Sequence, residues 1–305
     1  MKLPFSLGIH PINWVGEDVL EHGDHYTGEE VMQQIQKLGF KGTEVSRKFP
    51  KNPVELKAAL DRHGLQLTTQ WKSVFFSDRS RHEEQLQSYQ EHINFLKPFG
   101  CKVISTAEAG NSILNQDPSM PEDARHVRPL TEEQWEALAE GLNAAGKLAH
   151  EAGMKLVYHH HAGTVVEKPE EIDKLMDMTD PRYVYLLYDS GHGYYGGNDP
   201  MELLTKHYNR IGYIHLKDVR QEVLNASREQ HYPIRQSLRE GIFTVPGSGV
   251  LDFEPIFRYL FEQEYEDWAL IEGEQDPKIY PPYEFAQKAL DYLASIVTKI
   301  ENEKK

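Results

Sequence analysis

Short apolar and β-branched runs alternate with longer stretches of helical periodicity along the whole chain, and this alternation limits the fold more than any other feature. The pattern predicts strands at 5–9, 42–46, 65–71, 102–108, 154–161, 183–192, 211–218 and 267–274. The helical stretches between them carry start and stop signals. Thr27 with Glu30 and Thr131 with Gln134 form capping boxes, Gly39 and Gly64 stand as terminators, and Asp199 with Pro200 is a cap followed by a first-turn proline. Alternating βα units imply parallel strands joined by right-handed crossovers. Eight such units in 305 residues imply a closed (β/α)8 barrel, an α/β fold with one domain over 1–305. An open doubly wound sheet is the competitor, but the first strand leads into HPINWVGED rather than a Gly-rich phosphate turn. Two connections, at about 109–130 and 219–250, exceed the usual length and suit lids over the mouth. The second carries Arg220, Arg228, Arg235 and Arg239, which would equally serve a subunit interface in a homo-oligomer.

Composition removes several function classes. With 48 acidic against 33 basic residues the chain has a formal charge of -15, which opposes phosphate backbones and anionic membrane surfaces. Neither nucleic acid nor membrane is expected as a partner. The lone Cys101 excludes an internal disulfide framework and fits a reducing compartment. No apolar run reaches the ~20 residues of a membrane span, and the first residues lack an export signal, so a cytoplasmic protein acting on a small molecule is expected.

In a barrel, groups at the C-terminal strand ends converge on one mouth. Strand five ends in His159, His160 and His161, strand six in Asp189 with His192 beyond it, strand seven carries His215, Lys217 and Asp218, and strand eight Glu272 and Glu274. Side chains alternate along a strand, so one choice of inward faces gathers His159, Asp189, His215 and Glu272. Two neutral imidazoles and two carboxylates suit a divalent ion such as Mn²⁺, Co²⁺ or Zn²⁺ and cancel its charge. Taken singly each has a plainer reading: a solvated His tip, an Asp189 helix cap, an exposed Glu pair. Four consecutive apolar strands with a metal-competent group at the same end make coincidence costly.

The segments VYHHHAGT, LLYDSGH, YIHLKDV, FTVPGSGVLDF and LIEGEQDP resemble the sugar-phosphate isomerase and epimerase barrels related to xylose isomerase. More narrowly, HHHAGT and EGEQDP resemble the inosose dehydratases, and the similarity runs over essentially the whole chain. The resemblance implies a xylose-isomerase-like TIM barrel with His159, Asp189, His215 and Glu272 as metal ligands. It further implies a Mn²⁺- or Co²⁺-dependent lyase that dehydrates 2-keto-myo-inositol, sometimes with a glutathione requirement. The wider superfamily has Glu where this chain has His159, which argues against a symmetrical two-carboxylate epimerase.

Dehydration beside a ketone needs a polarised carbonyl, a base for the α-proton and an acid for the leaving hydroxyl. His161 is the expected base, Lys217 the second choice, or else an ion-paired residue, and His192 the expected acid. Trp14 and Trp71 are expected to offer ring faces to a polyol, and Asn13, Glu44, Lys72, Glu108, Glu274 and Gln275 to bind its hydroxyls. The competing functions are a metal-dependent ketose isomerase or epimerase and a non-catalytic sugar-binding barrel. A barrel-type nuclease is disfavoured by the acidic balance.

Overall fold

The computed structural model describes residues 3–113 and 127–303, so the middle of the first long connection, 114–126, lies outside the described residues. The chain divides into two compact units, residues 1–68 with 214–305, and residues 69–213.

The first unit opens with β1 (Ser6–Ile9), α1 (Gly28–Lys37), β2 (Gly42–Thr43), α2 (Pro53–His63) and β3 (Gln66–Leu67), with β2 and β3 parallel. The Thr27–Glu30 capping box is formed on both sides, and Gly64 ends α2 in the left-handed conformation at φ 61. The second unit comprises β4 (Lys72–Val74), α3 (His82–Leu96), β5 (Val103–Glu108), α4 (Glu132–Glu151), β6 (Lys155–His159), α5 (Pro169–Met178), β7 (Val184–Asp189), α6 (Ser190–Tyr195) and α7 (Pro200–His207). Its strands pair in parallel and in sequence order, β4 to β7, and β5 is buried at every residue. The burial of β5 on both faces therefore takes in the polar Ser105, Thr106 and Glu108 as well as its apolar residues.

β8 (Ile211–Val219) returns the chain to the first unit, followed by α8 (Gln221–Glu229), α9 (Ile234–Arg239), β9 (Phe243–Thr244), α10 (Phe253–Glu262), β10 (Trp268–Glu272) and α11 (Pro282–Glu303). β10 runs parallel to both β1 and β8, with Leu270 opposite Gly8 on one side and His215 on the other. Ile9, Ile214, Leu216, Leu270 and Ile271 are buried here, and α10 lays Phe253, Ile256, Phe257 and Leu260 inward.

Several expectations change: the strands expected at 42–46 and 154–161 shorten to Gly42–Thr43 and Lys155–His159. The strand expected at 65–71 is confined to β3 at Gln66–Leu67, and a separate strand, β4, begins only at Lys72; the two pair with different neighbours. The strand expected to reach His192 stops at Asp189, because the Asp189 side chain accepts the His192 amide and starts α6. The connection at 219–250 is built from α8, α9 and the antiparallel β9, which pairs with β8 through Asp218 and Thr244.

Candidate metal and catalytic centre

In the second unit, β6 ends in His159 and β7 in Asp189, both buried, with His159 Nε2 3.4 Å from Asp189 Oδ2. Asp189 Oδ1 accepts the His192 backbone N–H at 2.7 Å. The cap and ligand readings of Asp189 therefore use different oxygens. His160, on the opposite face, accepts the Asp189 N–H through Nε2 at 3.3 Å, a structural contact.

Backbone groups set the protonation pattern of the next two histidines. His161 Nδ1 lies 2.8 Å from the Ala162 carbonyl, which can only accept, so Nδ1 carries a proton and, in the neutral imidazole, Nε2 carries the lone pair. His192 Nδ1 accepts the Ala162 N–H at 3.2 Å, which places its proton on Nε2. The two rings lie 3.7 Å apart between centroids, tilted by 35°. Trp71 meets His159 and His161 edge-on at 5.3 and 5.5 Å and donates through Nε1 to Ser73 Oγ at 2.8 Å.

In the first unit, His215 on β8 donates through Nε2 to Glu44 Oε1 at 2.8 Å, while its Nδ1 stands 3.2 Å from Glu272 Oε1. A carboxylate on the remote nitrogen is the usual way to orient a metal-binding histidine. Burial opposes the charge on Glu44, but the His10 and His215 imidazoles hold its carboxyl well below the usual range. His10 Nε2 is 3.4 Å from Glu44 Oε2 and 3.7 Å from Glu272 Oε1, and its Nδ1 accepts the Ile12 N–H at 2.9 Å. Lys217, 1% exposed, pairs with Glu272 Oε2 at 2.7 Å and Glu274 Oε2 at 3.3 Å over the Phe243 ring. Burial pushes the Glu274 carboxyl up to about 7 against the pull of Lys217, and its Oε1 has no hydrogen-bond partner among the described residues.

Several expected substrate contacts are otherwise engaged. Trp14 is 0% exposed and donates to Gln34 Oε1 on α1, so it is core and offers no ring face. Lys72 turns to α3, where Nζ meets Ser88 Oγ at 2.6 Å. Glu108 is saturated by the amides of Phe76, Ser77 and Gly110 and the Ser77 hydroxyl, so it ties loops together; burial nevertheless pushes it up to about 7. Glu44 serves the two histidines rather than a ligand's hydroxyls. Asn13 donates to the His10 and Ile271 carbonyls, while its buried Oδ1 has no partner among the described residues. Gln275 accepts from Arg220. Asp218 takes four backbone amides, from Val219, Gly247, Gly249 and Leu251, and so anchors the end of the 219–250 connection. His10 was not singled out as a site residue, although the strand-end rule that found the other histidines applies to it equally.

The nitrogen–oxygen chemistry of each pair suits ligation of a divalent cation. Two ligands bound at ~2.0–2.2 Å to one ion stand about 3.0–3.6 Å apart. His159 with Asp189 at 3.4 Å and His215 with Glu272 at 3.2 Å both meet that spacing.

Residues 32–296 match the xylose isomerase-like TIM barrel family, so the fold expected from the alternation is the fold of the chain's family. Within it, the chain belongs to the inosose dehydratase family, a family of hydro-lyases. It is 45% identical to the inosose dehydratase of Geobacillus kaustophilus over 294 residues, 96% of this chain and 95% of that one. With the Clostridium perfringens inosose dehydratase it is 46% identical over 288 residues, 94% of this chain and 96% of the relative. Among solved structures it is similar to an IOLI protein with a binding zinc atom, at TM-score 0.70 and 18% identity over 97% of this chain and 99% of that one. The probable 3-DHS dehydratase AsbF of Bacillus anthracis gives TM-score 0.68 at 13% identity, over 95% of this chain and 99% of that one. At these identities the two structures attest the fold. Among the described residues no helix is long and apolar enough to cross a membrane.

Proposed function

We propose that the two units are halves of one (β/α)8 domain over 1–305. In this reading His159, Asp189, His215 and Glu272 hold one Mn²⁺ or Co²⁺, with Zn²⁺ as the alternative. The enzyme removes water from 2-keto-myo-inositol to give a trihydroxycyclohexane-1,2-dione. One observation carries this reading: each unit supplies a buried nitrogen–oxygen pair at ligand spacing, aligned by a partner of its own. When bound, the cation would polarise the substrate ketone as a Lewis acid.

The residues then divide the proton transfers. His161 Nε2, carrying the lone pair, takes the α-proton, and the C–H electron pair is delocalised toward the ketone. Its return forms the C=C bond and breaks the β-carbon–oxygen bond, while His192 Nε2–H protonates the departing hydroxyl as water. The resulting hydroxy-enone is the enol of a 1,2-dione. With both imidazoles neutral, the tilted pair offers one base and one acid, as elimination requires. Lys217, held between Glu272 and Glu274, acts as a positioning charge that leaves Glu272 Oε1 for the ion. Trp71 offers its ring to the polyol, and Asn13, Glu274 and Gln275 bind oxygens. Glutathione has no assigned residue, and a cytoplasmic location with a small-molecule partner completes the reading.

Incubation of metal-loaded protein with inosose tests it: a strong ultraviolet absorbance from the dione is expected, abolished by chelation and restored by Mn²⁺ or Co²⁺. Interconversion of ketoses without that absorbance would replace the lyase by an epimerase. Tight polyol binding without turnover would make the barrel a binding protein.

A further inference from the structure

Arg220 leaves β8 and enters the 219–250 connection, yet it is buried rather than solvated. Its guanidinium lies 3.9 Å over the Tyr280 ring. Nη1 donates to the Gly241 and Phe243 carbonyls, and Nη2 to Thr244 Oγ1 at 3.0 Å and Gln275 Oε1 at 2.7 Å. Gly241, at φ 78, permits the turn that presents its carbonyl to Arg220. This cradle of carbonyl and hydroxyl oxygens fixes the guanidinium independently of Gln275.

The consequence falls on Gln275, which is 2% exposed and directly follows Glu274, the partner of Lys217. A side-chain amide presents an acceptor at one end and two donors at the other. A flip here would set NH2 against guanidinium N–H and lose a charge-assisted bond, so the carbonyl end stays on Arg220. No acceptor among the described residues takes the Gln275 Nε2 hydrogens.

We infer that Gln275 is a donor-only contact for one oxygen of the polyol ketone, and that Arg220 is the positioning residue that sets its polarity. The inference deepens the proposed function and rests on it. A donor that a bound substrate covers without offering an acceptor is costly, so the site discriminates against a substrate lacking that oxygen more strongly than a merely shape-matched pocket would.

Binding of inosose by calorimetry and turnover are measured together on the metal-loaded protein and on Gln275→Glu, Gln275→Met and Arg220→Lys. Gln275→Glu keeps an acceptor for Arg220 but has no donor. Its melting temperature is expected to hold or rise while Kd and KM rise at least tenfold and kcat changes less. A purely structural Gln275 would leave Kd and KM unchanged in that variant, which overturns the inference. Within a series of mono-deoxy inososes, one member is expected to bind the unmodified protein weakly and to lose nothing further with Gln275→Met. Equal losses across the series overturn it. Arg220→Lys keeps the charge but cannot fork, so it is expected to raise KM alone and to add little in the Gln275→Met background; full additivity overturns its positioning role. Inosose binding without turnover in the unmodified protein would defeat the dehydratase reading while the Kd comparisons still decide the role of Gln275. Absence of both binding and turnover would defeat both.

Discussion

The two units orient their donors by different means. In residues 69–213 the backbone does it: the Ala162 carbonyl and amide set the protonated nitrogens of His161 and His192, and a helix start holds one oxygen of Asp189. In the unit formed by the chain ends, side-chain charges do it, in a series running His10, Glu44, His215, Glu272, Lys217, Glu274. Backbone-held groups tolerate change in neighbouring side chains. A charge series does not, because removing one member leaves its partner buried and uncompensated.

The sharpest way to break this comparison is at Asp189, whose two oxygens have separate duties. Asp189→Ala is expected to lower turnover by ~10³-fold or more and, through the lost cap, stability by about 1–2 kcal/mol, read by steady-state rates and denaturant melts. Asp189→Asn should keep the cap and the stability yet lose most turnover; equal effects of both variants would show that the cap alone matters. Next in size, His161→Gln should reduce kcat by ~10²–10⁴ with metal content unchanged. Glu44→Gln should act through His215, weakening metal binding ~10–100-fold in competition titrations. If a change at His160 weakened the metal as much, the contrast between the units would fail.

A smaller effect concerns pH. The folded state holds the Glu108 proton to about 7, above the ordinary 4.5 of an unfolded glutamate. Between those values the folded chain binds more protons, so this contribution favours folding at low pH and is lost as pH rises from about 4.5 toward 7. Glu108→Gln should flatten that part of the stability profile, measured by thermal melts at pH 5, 6 and 7. Smallest of all, Lys57→Ala removes an exposed i,i+4 pair with Asp61 and should cost no more than about 0.5 kcal/mol.

Much of this is legible in the sequence. The capping boxes at Thr27 and Thr131 form as the sequence spacing implies, since both partners lie within one turn. His159 with Asp189 and His215 with Glu272 are each brought together, because they close neighbouring strands of one unit or stand across adjacent ones. Lys72 shows where such reading stops. Continuing the strand expected over 65–71 would set its facing by simple alternation, but β3 ends at Leu67 and a new strand starts at Lys72, whose side chain turns to Ser88.

The order of strands and helices, their local stops and the polar residues at strand ends were determined by the sequence itself, through interactions spanning a few residues. Which oxygen of Asp189 caps and which faces His159, that Trp14 packs against Gln34, and that Arg220 holds the carbonyl end of Gln275 were decided only by the tertiary structure. Period-two alternation names the face a side chain takes, whereas its partner there comes from a segment distant in the chain, brought in by packing that no local pattern encodes.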